Sequence, residues 1–382
     1  MMKRWLRWLF LLLATLAFLL VAAIALLQSD WLHAKVHDRL VAELARATGG
    51  QVALGRYDFV WNWDAGQIRI KDLVIRGKET AAQPPLVRLP AATVQLNILS
   101  YVSPRADLKS VTLERPELHI ITYPDGTTNF PGPRRDATGK PILEQFVALA
   151  IDHFAIRDGE LTWDLRKIPL NLSGRRLNLD FRHQGRPPDA RYLGFVSART
   201  LDLAGWRFEG ATFDVDAEVA IDKDRISFAQ LRLFKDNSVI DADGEIRPLT
   251  PDWKKWRADA DFRLNAAMPD LVKLLKLPVE PVGAFEAKGK FSWDADPIVT
   301  ADASATGWTL NAAGRSFKAI AWKAPLRYEK GRVETTQLAM QWLNGTYRGR
   351  ASTDFSSYEV VGTAARFRLT DLAPLIRLDA PP

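Results

Sequence analysis

Residues 213–222, Phe-Asp-Val-Asp-Ala-Glu-Val-Ala-Ile-Asp, alternate without a break, so that Phe213, Val215, Ala217, Val219 and Ile221 share one side of an extended chain. Successive side chains of a strand point to opposite faces, and this stretch therefore predicts a strand with one apolar face that must be covered. The same period of two runs through Val94–Ile98, Leu161–Leu165, Leu177–Phe181, Ala258–Leu264 and Val299–Ala303. Between such stretches stand turn signals: Pro124-Asp125-Gly126, Arg157-Asp158-Gly159, Asp243-Gly244 and Asn344-Gly345. From Val52 onward the pattern predicts about twenty strands, joined closely enough to be mostly antiparallel. Helices are expected only in short pieces, around Ile142–Ala150, Pro269–Leu277 and Asp371–Leu378.

The front of the chain follows a different rule. An uninterrupted apolar run extends from Leu9 to Leu27, with Lys3, Arg4 and Arg7 before it and tryptophans at positions 5, 8 and 31. At about 1.5 Å per residue such a helix spans about 28 Å, close to the hydrocarbon thickness of a bilayer, and indole rings favour the interface. Residues 1–29 thus read as a basic cytoplasmic tip and a single membrane anchor, the basic residues holding the N-terminus inside. A cleaved signal peptide is the competing reading, since Ala23 and Ala25 offer small residues, but the run is longer than a usual signal core. Residues 30–50 predict one amphipathic helix, with Leu32, Val36, Leu40, Val41 and Leu44 at helical spacing, Asp30 as N-cap and Gly49-Gly50 as stop. His33 and His37 stand one turn apart on it without a third ligand, and read as exposed histidines.

An internal repeat organises the rest. The segment starting Asp270-Leu271 resembles the one starting Asp371-Leu372, and Arg225–Leu233 matches Arg332–Met340, so a unit of roughly a hundred residues is used twice. We divide the chain into an N-terminal β domain over 51–200 and a repeat-built β region over 201–382, expected to continue in a longer protein.

So many half-apolar strands and so few helices raise the question of cover. Ordinary two-sheet sandwiches are one solution. The other is a long antiparallel sheet curled into a trough whose apolar face is lined by ligand, because sheets beyond about ten strands curl or split. Beside a bilayer the fitting ligand is an acyl chain. Sixteen carbons in water cost on the order of 13 kcal/mol, at roughly 0.8 kcal/mol per methylene. The residues expected to line such a groove are Phe213, Val215, Val219, Ile221, Phe262 and Leu264, with Val94, Leu96 and Ile98 nearer the membrane.

Composition narrows the chemistry. The 382 residues carry a formal charge of +7, but Lys and Arg are scattered singly and form no nucleic-acid-binding block. The absence of cysteine removes disulfides, thiolate metal sites and cysteine nucleophiles. There is no Walker loop, G-x-S-x-G elbow, H-E-x-x-H helix or dinucleotide turn. The acids, such as Asp214, Asp216 and Glu218, sit at alternate strand positions, where a solvated face puts them. Asp241–Glu245 only faintly resembles a calcium loop, and His119, His153 and His183 are isolated. Trp61, Trp63, Trp163, Trp293 and Trp342 read as packing residues. We expect neither enzyme activity, nor cofactor, nor metal.

The order of several motifs resembles the AsmA family of Gram-negative envelope proteins. It comprises Ala47-Thr48-Gly49 at a helix end, Gly55 with Trp61 or Trp63, and the strand Gly66–Ile75. Arg115-Pro116-Glu117-Leu118, then Asp125–Asn129, and a strand pair over Ile156–Asp164 continue the series. The resemblance covers the first 180 residues well and the repeats loosely. It implies a bacterial inner-membrane protein, single-pass, with a chorein-like N-terminus and most of its chain in the periplasm, like bridge-like lipid-transfer proteins. It further implies a role in outer-membrane biogenesis, with phospholipid or another acyl lipid as partner and no catalytic residues. A non-enzymatic scaffold for the assembly or targeting of outer-membrane proteins, with envelope proteins as partners, is the alternative.

Overall fold

A computed structural model of the chain describes residues 30–61, 65–97, 108–131, 142–166, 170–186, 188–205, 208–247, 256–270, 282–294, 296–312, 315–354 and 356–367. The expected span over Leu9–Leu27, groove residue Ile98, Trp63 and almost all of the helices expected near Pro269–Leu277 and Asp371–Leu378 lie outside them. Among the described residues no helix is long and apolar enough to cross a membrane.

The protein is mainly β, and its strands form one large curled sheet of 18 strands. Helix α1 (Asp30–Thr48) leads into β1 (Gln51–Trp61), β2 (Ala65–Arg76), β3 (Val87–Asn97), β4 (Leu108–Glu114) and β5 (Glu117–Thr122). Helix α2 (Ile142–Ala148) precedes β6 (His153–Leu165), β7 (Leu170–Gln184), β8 (Arg191–Gly205) and β9 (Phe208–Ile221). Then follow β10 (Ile226–Lys235), β11 (Ser238–Arg247), β12 (Arg257–Ala267), β13 (Val282–Asp294) and β14 (Asp296–Ala312). The last four are β15 (Arg315–Glu329), β16 (Arg332–Trp342), β17 (Gly345–Thr353) and β18 (Tyr358–Ala365). From β6 to β18 consecutive strands pair antiparallel, most of them across short connections.

One place departs from this meander. β4 and β5 are two halves of one row: β3 sets Ala91 opposite Glu114 and Val87 opposite Leu118 in an unshifted register. Pro116 has no N–H for the ladder and Arg115 adopts φ 50°, so the strand kinks there and resumes. β6 runs parallel to both halves, Ser110 facing His153 and Glu117 facing Glu160. A parallel neighbour requires a crossover, and α2 lies in it.

Two sequence-derived turns are corrected. Arg157-Asp158-Gly159 lies inside β6 and Asp243-Gly244 inside β11; the strand pair expected over Ile156–Asp164 is a single strand. The residue types that favour turns also favour the left-handed backbone of a bulge, and Asp158 has φ 54°. Pro124-Asp125-Gly126 and Asn344-Gly345 do lie at turns.

Both helices cover the apolar side of the sheet's front. Val41 and Leu44 of α1 pack on buried Leu54, Leu73, Ile75, Leu89 and Ala92. His37 is half-buried rather than exposed, with Nε2 3.0 Å from the Leu54 carbonyl oxygen. Val147 of α2 joins Ile151, Phe181, Ala190 and Tyr192. Tyr192 is fully buried, its hydroxyl accepting the Ile151 N–H at 2.8 Å, and the crossover is thereby fastened to β8. Asn129, equally buried, accepts the Ile121 N–H at 2.9 Å through Oδ1 and donates to the His119 carbonyl at 2.7 Å.

Tyr192→Phe leaves the buried Ile151 N–H without an acceptor, and should lower unfolding free energy by about 1–2 kcal/mol in urea titrations, with the sheet retained. The Leu54 carbonyl, then Asp38, raise the pKa of His37 above its ordinary 6.5. A raised pKa stabilises the fold fully below the unfolded value and less as pH climbs through the folded one. NMR titration should therefore place the His37 midpoint above 6.5, with α1 docking weakening at alkaline pH.

Candidate functional site

Directly opposed residues in a ladder point to the same face, so the registers trace that face strand by strand. One row runs Phe59, Ile68, Val94, Val111, Phe154, Phe181, Gly194 and Val219. It continues through Phe228, Gly244, Ala260, Phe291, Val299, Tyr328, Val333, Thr353 and Tyr358. The row crosses the whole sheet with no charge in it and Thr353 as its one aliphatic hydroxyl. Eighteen strands with β4 and β5 end to end give seventeen rungs and sixteen spacings, or roughly 75 Å of apolar surface at ~4.8 Å per spacing.

Among the described residues, the groove positions expected from sequence fall on this face. Val94 and Val219 are in the row itself. Val215 lies in a parallel row with Leu233, Ile240, Leu264 and Ala287. Phe213 ends a third, through Val52, Ile75, Val87, Leu118, Leu161, Gly174 and Leu201. Leu96 pairs with Gly66 and Leu108, and Phe262 stands between Ala260 and Leu264 on β12. They are not equivalent, however. Val219 and Ile221 pack against the cluster that holds Val147, beneath the α2 end of the crossover. Phe262 and Leu264 are half-buried in a stretch, β10 to β17, where the described residues place no complete helix over them.

Over β11–β14, β16 and β17 the charged residues occupy the opposite face. On β12, exposed Asp259, Asp261 and Arg263 alternate with half-buried Ala260, Phe262 and Leu264. A depression of about 610 Å³ on the charged side is lined by Asp261, Lys288, Lys290, Asp302, Arg327 and Glu334. Three acids and three cations balance there, and Lys290 lies 3.6 Å from Asp261. Phe228, Phe291 and Tyr328 are lining candidates that period-two reading passed over. The alternation of Phe285, Ala287, Gly289 and Phe291 was the available signal, diluted because two of its four positions are small. Gly289 has to be small, since a Cβ there collides with the Thr300 carbonyl oxygen across the ladder.

The common facing is maintained by a line of irregularities across β2–β10. Asp72, Arg115, Asp158, Arg176, Thr200 and Gln230 all have φ between 50° and 64°. At the bulges on β6, β7, β8 and β10, apolar residues switch from one sequence parity to the other while staying on the same face. On β10, Ile226 and Phe228 give way to Leu231 and Leu233. Each bulge also bends its strand and adds twist, which curls the sheet. Side chains of the next strand hold three of them. Asn178 Oδ1 accepts the Asp158 N–H at 3.0 Å, Asp214 Oδ1 the Thr200 N–H at 2.9 Å, and Asp243 Oδ1 the Gln230 N–H at 2.9 Å. Asp214 and Asp216 also flank Arg199, at 4.0 and 2.9 Å, and its guanidinium lies over the Phe234 ring at 5.5 Å. These acids do more than solvate a face.

Among the described residues no group of three or more potential ligands could hold a metal ion. His153 pairs with Asp180 at 3.1 Å and His183 stacks edge-on against Tyr192, away from one another's partners. No family model matches the chain, and neither a curated protein nor a solved structure matches it.

If Asp243 holds the β10 bulge, Asp243→Ala should cost about 1 kcal/mol in chemical denaturation, whereas Asp243→Asn, which keeps the acceptor oxygen, should cost less than half of that. Equal effects would leave Asp243 as a solvated acid.

Proposed function

We propose that the protein shields the acyl chains of phospholipid, or of a similar lipid, along this apolar face and so moves lipid between membranes without catalysing a reaction. The observation that carries the reading is the continuous row from Phe59 to Tyr358, uncharged throughout and half-buried over most of its length. A lining of that kind offsets most of the roughly 13 kcal/mol that a sixteen-carbon chain costs in water, and it does so at every rung. Transfer then needs neither an acid–base pair nor a nucleotide.

The setting follows from the front of the sequence. An anchor over Leu9–Leu27 in a bacterial inner membrane places the sheet in the periplasm, with α1 as the link between bilayer and β1. The resemblance to the AsmA family supports the same placement and a role in outer-membrane biogenesis. In this reading the covered front, under α1 and α2, is the fixed end of the trough, and β10–β17 the part that lipid occupies. The scaffold alternative shares the anchor and the compartment but leaves the apolar face with no lipid on it.

The test uses photocrosslinking positions chosen by facing. A photoreactive residue at Phe262 or Phe291 should capture phospholipid in native membranes, and one at Arg263 or Lys290, on the other face, should not. Leu264→Asp should reduce capture from Phe262 severalfold while the circular dichroism of the sheet persists. Equal capture from both faces, or capture only of protein from Phe262, rejects the lipid reading. Val219 is unsuited to this purpose, because it packs in the cluster with Val147.

A further inference from the structure

The widest break in any ladder among the described residues lies between β15 and β16. Lys323 faces Ala339 and Arg327 faces Glu334, and between these pairs three residues of β15 and four of β16 have no partner across the ladder. Pro325 sits in the middle of the break. On its other side the ladder to β14 runs on, with Asp302 opposite Pro325, so the N–H that proline lacks is missing from the β16 side. A proline well inside a central strand marks a place where pairing stops. Two depressions, of about 610 and 700 Å³, meet over it and share Asp302, Pro325 and Thr336. Residues of both faces line each of them: outward-facing Arg327 with inward-facing Leu326 in one, outward-facing Lys323 with inward-facing Leu338 in the other.

The internal repeat shows a closed version of the same place. β10 matches β16, with Gln230 corresponding to Gln337 and Arg232 to Ala339. In the first copy Arg232 lies between Asp216 and Asp241 in one row, 2.7 Å from the latter, and the Asp243 carboxylate accepts the Gln230 N–H at 2.9 Å. In the second copy that row reads Lys323, Ala339 and Arg348, two cations with a methyl group between them, and Arg350 stands where Asp243 does. Arg350 turns to Glu359 at 3.6 Å, and the Gln337 N–H has a 3.3 Å bond to the Thr335 hydroxyl of its own strand. Opposite charges across the strands have become like charges, and the carboxylate latch is gone.

We propose that β15 and β16 form a seam along which the sheet parts, and that an acyl chain reaches the apolar face through it. The parting rests on the ladder alone, and the acyl chain as ligand rests on the function proposed above. Three opposed pairs hold each end of the seam, at Ala321, Trp322 and Lys323 and at Arg327, Tyr328 and Glu329. An array held by nearest neighbours opens where one interface is weakest. The inner side of the seam, Ala324, Leu326, Thr335 and Leu338, carries no charge, while Lys323, Arg327 and Arg348 stand on its outer side. Cations there suit a lipid phosphate, and the chain beyond it meets mostly alkyl groups.

The chain has no cysteine, so an introduced pair forms a single disulfide. Lys323→Cys with Ala339→Cys, and Arg327→Cys with Glu334→Cys, lock the two ends of the seam, since directly opposed residues lie within disulfide reach. Glu286→Cys with Ser304→Cys, across β13 and β14, is the control lock. The probe is dansyl-labelled phosphatidylethanolamine, added to the full chain in detergent and followed by energy transfer from tryptophan. Each seam lock should slow its uptake about tenfold, with reductant restoring the rate and the control lock leaving it unchanged. Pro325→Val, which returns the N–H, should slow uptake as well. Amide exchange reads the parting without lipid. Arg327 and Ala339, which flank the break, should exchange at least ~tenfold faster than Lys288 and Lys290 inside β13, and Pro325→Val should remove the difference. Equal exchange at the two places, or uptake that the oxidised seam locks leave unchanged, would overturn the proposal. If no labelled lipid is taken up at all, the lipid reading fails instead, and the exchange comparison still decides whether the sheet parts.

Discussion

The constraint on which the structure depends is one of phase. A sheet this long is useful, or even soluble, only if every strand turns its apolar residues to the same side, because a slip of one residue sends a strand's whole apolar set to the other face. The chain meets the constraint in two ways. β11, β12 and β13 keep strict alternation, and β9 does so from Ala211 to Ile221. β6, β7, β8 and β10 break alternation once, and a bulge takes up the odd residue. Left-handed backbone at a residue with a Cβ costs on the order of 1–2 kcal/mol. At Asp158, Thr200 and Gln230 a side-chain oxygen from the following strand offsets part of that cost. Curl and common facing therefore have one origin.

This explains which parts of the fold were legible in the amino-acid sequence. Residues 213–222 stood out because the irregularity of β9 falls before Ala211; opposite the rest of it the neighbours β8 and β10 carry the extra residues, after Ala198 and after Ala229. Phe262 and Leu264 were found for the same reason. Phe228, two residues before a bulge, was not. Asp158 and Asp243 were misread as turns because a bulge and a turn recruit the same residues, and only pairing across strands separates them. The acids at 214 and 243 looked like solvated positions because their acceptor role depends on a partner backbone fourteen and thirteen residues away. Tyr192 gave no local signal at all, since its role is defined by a crossover that returns over the sheet. The parallel pairing of β6 was equally invisible, hairpin-like spacing being the rule elsewhere.

The two ends of the apolar face differ in kind. At the front, helices bury Leu54, Leu73, Phe181 and Tyr192 into ordinary core. Farther along, alanine and glycine become frequent between the aromatic residues, and Ala287, Ala303 and Ala324 line one row. Small side chains on one face of a sheet leave room for it to bend toward that face, so the same residues that lower hydrophobic content permit curvature. Under the lipid reading, the front supplies rigidity and the rear supplies accommodation.

Away from the β4–β6 crossover, the described strands pair only with the one before and the one after. Such an array resembles a zip more than a globule: its free energy is a sum of nearest-neighbour contributions, and long-range cooperativity is weak. Loss of order should travel rung by rung rather than all at once, so that no single melting temperature describes the molecule. A protein put together in this manner can lengthen or shorten by whole hairpins without disturbing what lies at the other end.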